Sequence, residues 1–301
     1  DGIRDDLVTG VQTCALPIYN YALVLLRLDR IPEAKKQFEA LLGTGRRASA
    51  AQFYLGRIAE QEGDDESALA AYRNVYDREF HLNAQMRMAA LMARAGEVDG
   101  ARARIQSLRR RYRSEAVRLY RAEADVLVEA DDFDGAIELY GEALKEHPAN
   151  TDLLYARAMT AARIDRLDTL ERDLRDILTR EPENADALNA LGYTLADKTE
   201  RYDEALHLIE RALALKPDDH YIIDSMGWVL HKLGRNEEAL VQLRRAWEIQ
   251  PDAEISAHIV IVLWALERRE EARKTLLDAL DEHPDDKALL EALRLLGPNE
   301  S

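Results

Sequence analysis

The chain has 301 residues, 33% of them charged and 6% aromatic, with 14 glycines, 8 prolines and one cysteine. Its 57 acidic against 41 basic residues give a net charge of −16, a balance that disfavours duplex nucleic acid or an anionic membrane surface as the main partner. No apolar run of about 18 residues is present to span a bilayer, and the lone Cys14 excludes an internal disulfide.

Residues 1–18 read DGIRDDLVTGVQTCALPI. The stretch Thr9–Ile18 resembles the translation of a sequencing adapter, and residues 1–18 are therefore read as non-native and foreign to the fold. On that reading Cys14 is not native and the natural protein begins further upstream. The first helix is expected at about residues 15–29, with Pro17 falling inside its first turn.

From Tyr19 onward the chain keeps a beat. Pro148, Pro182, Pro217, Pro251 and Pro284 follow one another at intervals of 34, 35, 34 and 33 residues. Ala34, Ala68, Ala101, Ala136, Ala205, Ala239 and Ala272 keep the same spacing, and Leu170 fills the one missing place. A sustained period near 34 means a stack of similar supersecondary units, each packing on its neighbours, in place of one globular core. The units run 19–48 (truncated), 49–81, 82–116, 117–150, 151–184, 185–219, 220–252 and 253–286.

Residues 186–217 show the plan. A first helix places Leu188, Leu191, Gly192 and Leu195 on one face, and a second places Ala205, Ile209, Ala212 and Leu213 on one face. A polar turn, Asp197–Tyr202, joins them. Small residues at Gly192 and Ala205 let the helices cross closely, and a larger side chain there would cost about 1–3 kcal/mol by overpacking. Pro217 stops the second helix. Two units depart: Leu170 replaces the second-helix alanine and should hold its pair further apart, and Val260 stands at the glycine position. Residues 287–297 form a last amphipathic helix with Leu289, Leu290, Leu293 and Leu296 on one side, a cap for the end of the stack.

This pattern of a small residue in the first helix, alanine in the second and a closing proline resembles the tetratricopeptide repeat. The resemblance covers residues 19–286. It implies an all-α, right-handed superhelical solenoid of about eight helix pairs plus a C-terminal capping helix. It also implies a concave surface lined by the first helices, which binds protein or peptide partners. Carried over by register, the lining includes Phe53, Arg57, Arg121 and Asp125, then Tyr155, Met159, Arg163, Asn189, Tyr193, Asp197, Tyr221, Asp224, Trp228, His231, Lys232 and Trp264. Asn189 to Trp264 is the richest stretch, because aromatics give contact area with few torsions to freeze. The competing readings are that Trp228 or Trp264 packs between adjacent first helices, and that Asp224, His231 and Lys232 form a solvated face. The lysine and asparagine set with which some members clamp a terminal carboxylate is missing, since Asn189 stands alone and Asp224 holds the matching place in the next unit.

Residues 102–121 hold eight arginines and one acid, Glu115. Arg109, Arg110, Arg111, Arg113, Arg118 and Arg121 form a candidate dock for an acidic partner surface, against the alternative of a solvated outer face. Nothing signals catalysis. There is no Gly-rich phosphate loop, no G-x-S-x-G and no H-E-x-x-H. The seven histidines are scattered, with His231 and His258 on neighbouring first helices but no ligand set around them. No metal and no cofactor is implied.

Residues 189–266 carry a closer likeness. The phrases LGYTLAD, IIDSMGWVL and VLWAL resemble a proteobacterial group of tetratricopeptide lipoproteins. That resemblance implies a non-enzymatic, outer-membrane-anchored periplasmic adaptor that brings a carboxyl-terminal processing protease to cell-wall hydrolase substrates. Its membrane attachment would be only through an N-terminal lipid anchor upstream of this chain. Val260 and Ile261 stand where a glycine and a glutamate are expected. The rival is a cytoplasmic assembly or regulatory scaffold of the same fold, and a third reading is the repeat region of an enzyme whose catalytic domain lies upstream.

Overall fold

The computed structural model describes the backbone of residues 2–296 and the side chains of residues 15–296. Seventeen α-helices and one 3-10 turn carry these residues, and no strand occurs among them. The chain divides into two compact units, Asp1–Leu153 and Leu154–Ser301. The first holds α1 (Gly2–Arg27), α2 (Ile31–Gly43), α3 (Ala48–Gln61), α4 (Asp65–Arg73), α5 (Arg78–Arg94), α6 (Val98–Arg111), the 3-10 turn (Arg113–Glu115), α7 (Ala116–Glu129) and α8 (Phe133–Glu146). The division falls inside α9 (Thr151–Ala162). The second unit continues with α10 (Leu167–Arg180), α11 (Ala185–Lys198), α12 (Tyr202–Leu215), α13 (His220–Lys232), α14 (Asn236–Ile249), α15 (Ala253–Ala265), α16 (Arg269–Glu282) and α17 (Lys287–Leu295).

Within each unit successive helices pair and then stack on the next pair. The first unit packs α1 on α2, α3 on α4, α5 on α6 and α7 on α8, and the second packs α11 on α12, α13 on α14 and α15 on α16. The alanine beat marks these crossings: Ala68, Ala136, Ala205 and Ala239 have no exposed surface. A methyl group added at Gly192 would lie 2.7 Å from Ile209 and 3.0 Å from the Ala205 carbonyl oxygen. At Gly227 it would lie 2.5 Å from Leu243. Those two glycines therefore set the close approach of α11 to α12 and of α13 to α14. Leu170 and Val260, at the two irregular positions, are both fully buried.

The proline beat also gains a partner. Asn150, Asn184, Asp219, Asp252 and Asp286 follow the prolines by one or two residues, and each side chain accepts a backbone N–H of the helix it opens. Proline ends one helix and the short polar residue caps the next. Between the helices of a pair, a residue in left-handed conformation turns the chain: Asp29, Gly63, Gly96, Asp131, Asp165, Gly234 and Glu267. The pair α11/α12 differs, because Thr199 is extended and its Oγ1 bridges the Leu195 carbonyl and the Arg201 N–H.

The start of α1 corrects one expectation. The helix begins at Gly2 and carries Pro17 in its interior, where a helix start near residue 15 was expected. Proline removes one amide donor, and α1 is held beyond that point by Tyr19, Ala22 and Leu25, which are buried in the cluster containing Phe38 and Leu41. The side chains of residues 1–14, Cys14 included, and residues 297–301 lie outside the described residues. Of residues 15–18, Ala15 is buried in the same cluster and Ile18 packs against it, so the reading of residues 1–18 as foreign draws no support from packing and rests on sequence. Helix α17 buries Leu289 and Ala292 and packs on α15 and α16, while Leu293 and Leu295 are exposed. No helix among the described residues is long and apolar enough to cross a membrane.

Candidate functional site

Helices α11, α13 and α15 lie side by side in the second unit. Residues of neighbouring repeats therefore meet on them, and the sequence-predicted cluster assembles mainly from such contacts. Asp224 on α13 faces His258 on α15, with the imidazole Nδ1 2.9 Å and 3.0 Å from the two carboxylate oxygens. The Trp228 ring stacks on His258 with centroids 4.3 Å apart and planes at 21°. Its indole Nε1 donates to Asp197 Oδ1 on α11 at 3.2 Å. Lys232 Nζ lies 4.6 Å over the same indole and 3.9 Å from Asp197. The Tyr193 hydroxyl donates to Glu254 Oε1 at 3.2 Å.

Electrostatics follow from this packing. Burial opposes a charge on His258, but the adjoining Asp224 carboxylate, with Glu254 and Asp197 behind it, outweighs burial and raises the imidazole above its ordinary value. When protonated, the ring lies against the indole face, where a cation is favoured. His231 goes the other way: burial lowers it, although its Nδ1 is 2.7 Å from Asn236 Oδ1. Burial, with Glu254 nearby, pushes the Tyr193 hydroxyl up.

This arrangement corrects the reading of two residues. Asp224 and Trp228, expected to touch a ligand, have 6% and 8% of their surface exposed and are engaged in joining three helices. The competing reading of Trp228 as packing between first helices describes its position. Trp264 is half-buried beneath the Arg269 guanidinium, which lies 3.8 Å from the ring centre. Tyr221 is 60% exposed and its ring meets His220. Tyr155 and Met159 are half-buried on α9 and Arg163 is exposed beyond its end. Asn189 is half-buried, and its carbonyl oxygen is buried without a hydrogen-bond partner.

The first unit presents a different surface. Its first helices α3, α5 and α7 line a groove of about 440 Å³. Phe53, Met86, Ala90 and Val126 supply apolar walls, and Arg57, Arg87, Arg94 and Arg118 surround them. Arg87 is held by Glu60 at 2.7 Å, and Arg94 lies between Glu60 and Asp65. Arg118 donates to Asn83. Arg57 is exposed. Asp125 and Glu129 line the same groove, and the protein around Asp125 raises its carboxyl against the pull of Arg121.

The arginine island divides into two parts. Arg109 is structural: it pairs at 2.8 Å with Glu123, which is fully buried, and lies over the Tyr120 ring. Arg102 and Gln106 complete the shell around that carboxylate. Arg110, Arg111 and Arg113 are exposed near the end of α6, and Arg118 and Arg121 are exposed on α7. Only Arg118 of the six lines the groove.

Sequence reasoning missed Met86, Arg87 and Arg94 in this groove, as well as Glu254 and the pairing of His258. A signal existed for two contacts. Asp224 and His258, like Glu60 and Arg94, are 34 residues apart, one full beat. No group of three histidine, cysteine, aspartate or glutamate side chains that could hold a metal ion occurs among the described residues. The one buried histidine is tied to a carboxylate inside the fold.

Comparison with known proteins gives the following. A tetratricopeptide repeat profile matches residues 19–80, 121–169 and 171–220, and a second matches residues 198–259. A TPR repeat-containing protein of Pseudomonas aeruginosa is 43% identical over 210 residues, which is 70% of this chain and 36% of that protein. An uncharacterized protein of Sinorhizobium fredii is 31% identical over 137 residues, 44% of this chain and 74% of that protein. The chain thus spans about a third of the length of the Pseudomonas relative. Among solved structures, a tetratricopeptide repeat protein from Parabacteroides merdae has a TM-score of 0.63 at 16% identity, covering 84% of this chain and 100% of its own. A thermophilic TPR protein of Thermus thermophilus has a TM-score of 0.51 at 22% identity, covering 57% and 95%.

Proposed function

The chain belongs to the tetratricopeptide repeat family, and we propose that it is a non-catalytic scaffold that binds an acidic, extended segment of a partner protein along the α3/α5/α7 face. Repeats of this family indicate a protein–protein interaction scaffold. The observation that carries the finer reading is the groove itself, with apolar walls at Phe53, Met86 and Val126 inside a ring of four arginines. Guanidinium forks take carboxylates in paired hydrogen bonds, while the walls take the apolar side chains between them. In a chain of net charge −16, four arginines against Asp125 and Glu129 make this lining locally cationic and favour acidic partners.

At a finer level, the protein is an adaptor that brings a carboxyl-terminal processing protease and its cell-wall hydrolase substrates together in the periplasm. The phrases LGYTLAD, IIDSMGWVL and VLWAL in residues 189–266 support this reading. Tethering two proteins on one scaffold raises their effective concentration without any new chemistry. The test is affinity capture from the native cells with the full chain and with the Arg57→Glu/Arg118→Glu double variant. The scaffold reading expects a defined set of proteins held by the former and lost by the latter. Identical capture by both removes the groove from the site. A captured set without a protease counts against the adaptor.

A further inference from the structure

The second unit carries a surface that the first-helix faces do not account for. Between the second helices α14 and α16, floored by α15, lies a groove of about 290 Å³. Trp247, Pro251, Ile259 and Ala279 give it apolar walls. Its charged lining is one-sided: Asp252, Glu271, Asp278 and Glu282 stand against Arg244.

These carboxylates are not equivalent. Asp252 caps α15 through the Glu254 N–H, and Glu271 is taken by Arg244 and Arg268. Asp278 and Glu282 are exposed, lie one turn apart on α16, and have no ion-pair partner among the described residues. The three tryptophans of the chain sharpen the contrast. Trp228 carries Lys232 on its face and Trp264 carries Arg269. Trp247 is 45% exposed, and no cation lies over it among the described residues.

We infer that the α14/α16 groove is a second docking surface, and that its occupant is a cationic, apolar-bearing segment of a partner protein. An arginine or lysine placed there meets an indole face and two free carboxylates together, and the neighbouring apolar side chain enters the slot over Ile259. The charge of this groove is opposite to that of the α3/α5/α7 groove, so the two surfaces select different partners. That is the minimum a tethering scaffold requires.

Fluorescence anisotropy on the full chain tests this. The probe is a fluorescein-labelled nonapeptide of alternating arginine and leucine. Because any chain of this net charge attracts cations, the variants decide. Trp247→Ala and, separately, Asp278→Lys/Glu282→Lys should each weaken the dissociation constant about tenfold or more. The charge-matched control Asp203→Lys/Glu210→Lys, on the exposed side of α12, should change it less than about threefold. All substituted positions are exposed, and circular dichroism melts confirm that the variants fold. Equal weakening by the control, or none by the two groove variants, overturns the inference. So does an oligomer of the free chain, seen by light scattering, that Asp278→Lys/Glu282→Lys dissolves, since the occupant would then be a second copy. A glutamate–leucine nonapeptide run in parallel reports on the α3/α5/α7 groove, so failure of either surface is seen separately.

Discussion

Two first-helix faces built on one repeat plan end in opposite states. Along α11, α13 and α15 the side chains between the beats are tied to one another: Asp197 to Trp228, Trp228 to His258, His258 to Asp224. Along α3, α5 and α7 they leave a groove whose arginines surround open apolar walls. The aromatic-rich stretch is therefore the closed one. In a stacked-pair fold a first-helix tryptophan finds partners on the first helices of the neighbouring repeats, and its contact area is used before any ligand arrives. Openness follows where the charged side chains pair at the edge of the face, as Arg87 of α5 does with Glu60 of α3, and the apolar residues between them are left uncovered.

The sharpest way to break this contrast is Trp228→Ala. If the indole is a structural part of the stack, its removal opens a cavity and costs about 3–5 kcal/mol, read by urea unfolding. A tryptophan serving only as a ligand contact would change stability by about 0.5 kcal/mol or less. Gly227→Leu comes next, at about 1–3 kcal/mol, because the new side chain meets Leu243 where even a methyl carbon would lie 2.5 Å away. The same exchange at Gly234, which has no neighbour within 4 Å, would act through its left-handed φ of 76° and not through packing.

The buried pair gives a pH test. Asp224 raises His258, so the stabilisation from this pair is fully present below the unfolded histidine value, about 6.5, and is lost as pH rises through the folded value. Burial lowers His231, so its contribution has the other sign: the folded state is penalised as pH falls from about 6.5 through the folded value of that ring. Histidine proton titration by NMR should place the two midpoints on opposite sides of the free value. Asp224→Asn should then carry the His258 midpoint to the low side, because burial remains when the carboxylate is gone. An unmoved His258 midpoint would show that the pair is not the cause.

Much of this was legible in the sequence, because the period is itself a packing rule. Alanine at seven of the eight crossings, proline after the five pairs from α7/α8 onward and a short polar residue capping the helix that follows each of those prolines are local requirements, and each is visible one residue at a time. The tetratricopeptide register also put Trp228, Asp224 and Tyr193 on first helices, where they are. What the register could not weigh was competition for those side chains. Whether Trp228 faces solvent depends on His258, 30 residues away in the next repeat, and whether Arg109 is free depends on Glu123 lying buried beside it. Helix α1 was misjudged for a similar reason. Proline is a strong local signal, but Tyr19 and Leu25 anchor the helix on Phe38 regardless of where it begins.

The smallest expected change in stability comes from Arg57→Glu/Arg118→Glu, and for that reason it discriminates best. Both side chains are exposed, and the ion pair of Arg118 with Glu115 is a long surface contact of 3.8 Å, worth little. Unfolding free energy should move by about 0.5 kcal/mol or less for each exchange. The groove, however, would change from four cations and two anions to two cations and four anions, so an acidic peptide should lose affinity steeply, and more so at low salt where screening is weak. Binding without loss of stability would then be broken on the α3/α5/α7 face, and stability without loss of acidic-peptide binding on the closed face, where Trp228→Ala removes a packed residue. If the arginine exchange instead lowered stability by as much as Trp228→Ala, the α3/α5/α7 face would be as closed as its counterpart, and the ring of arginines would be scaffolding for the stack and not a receptor.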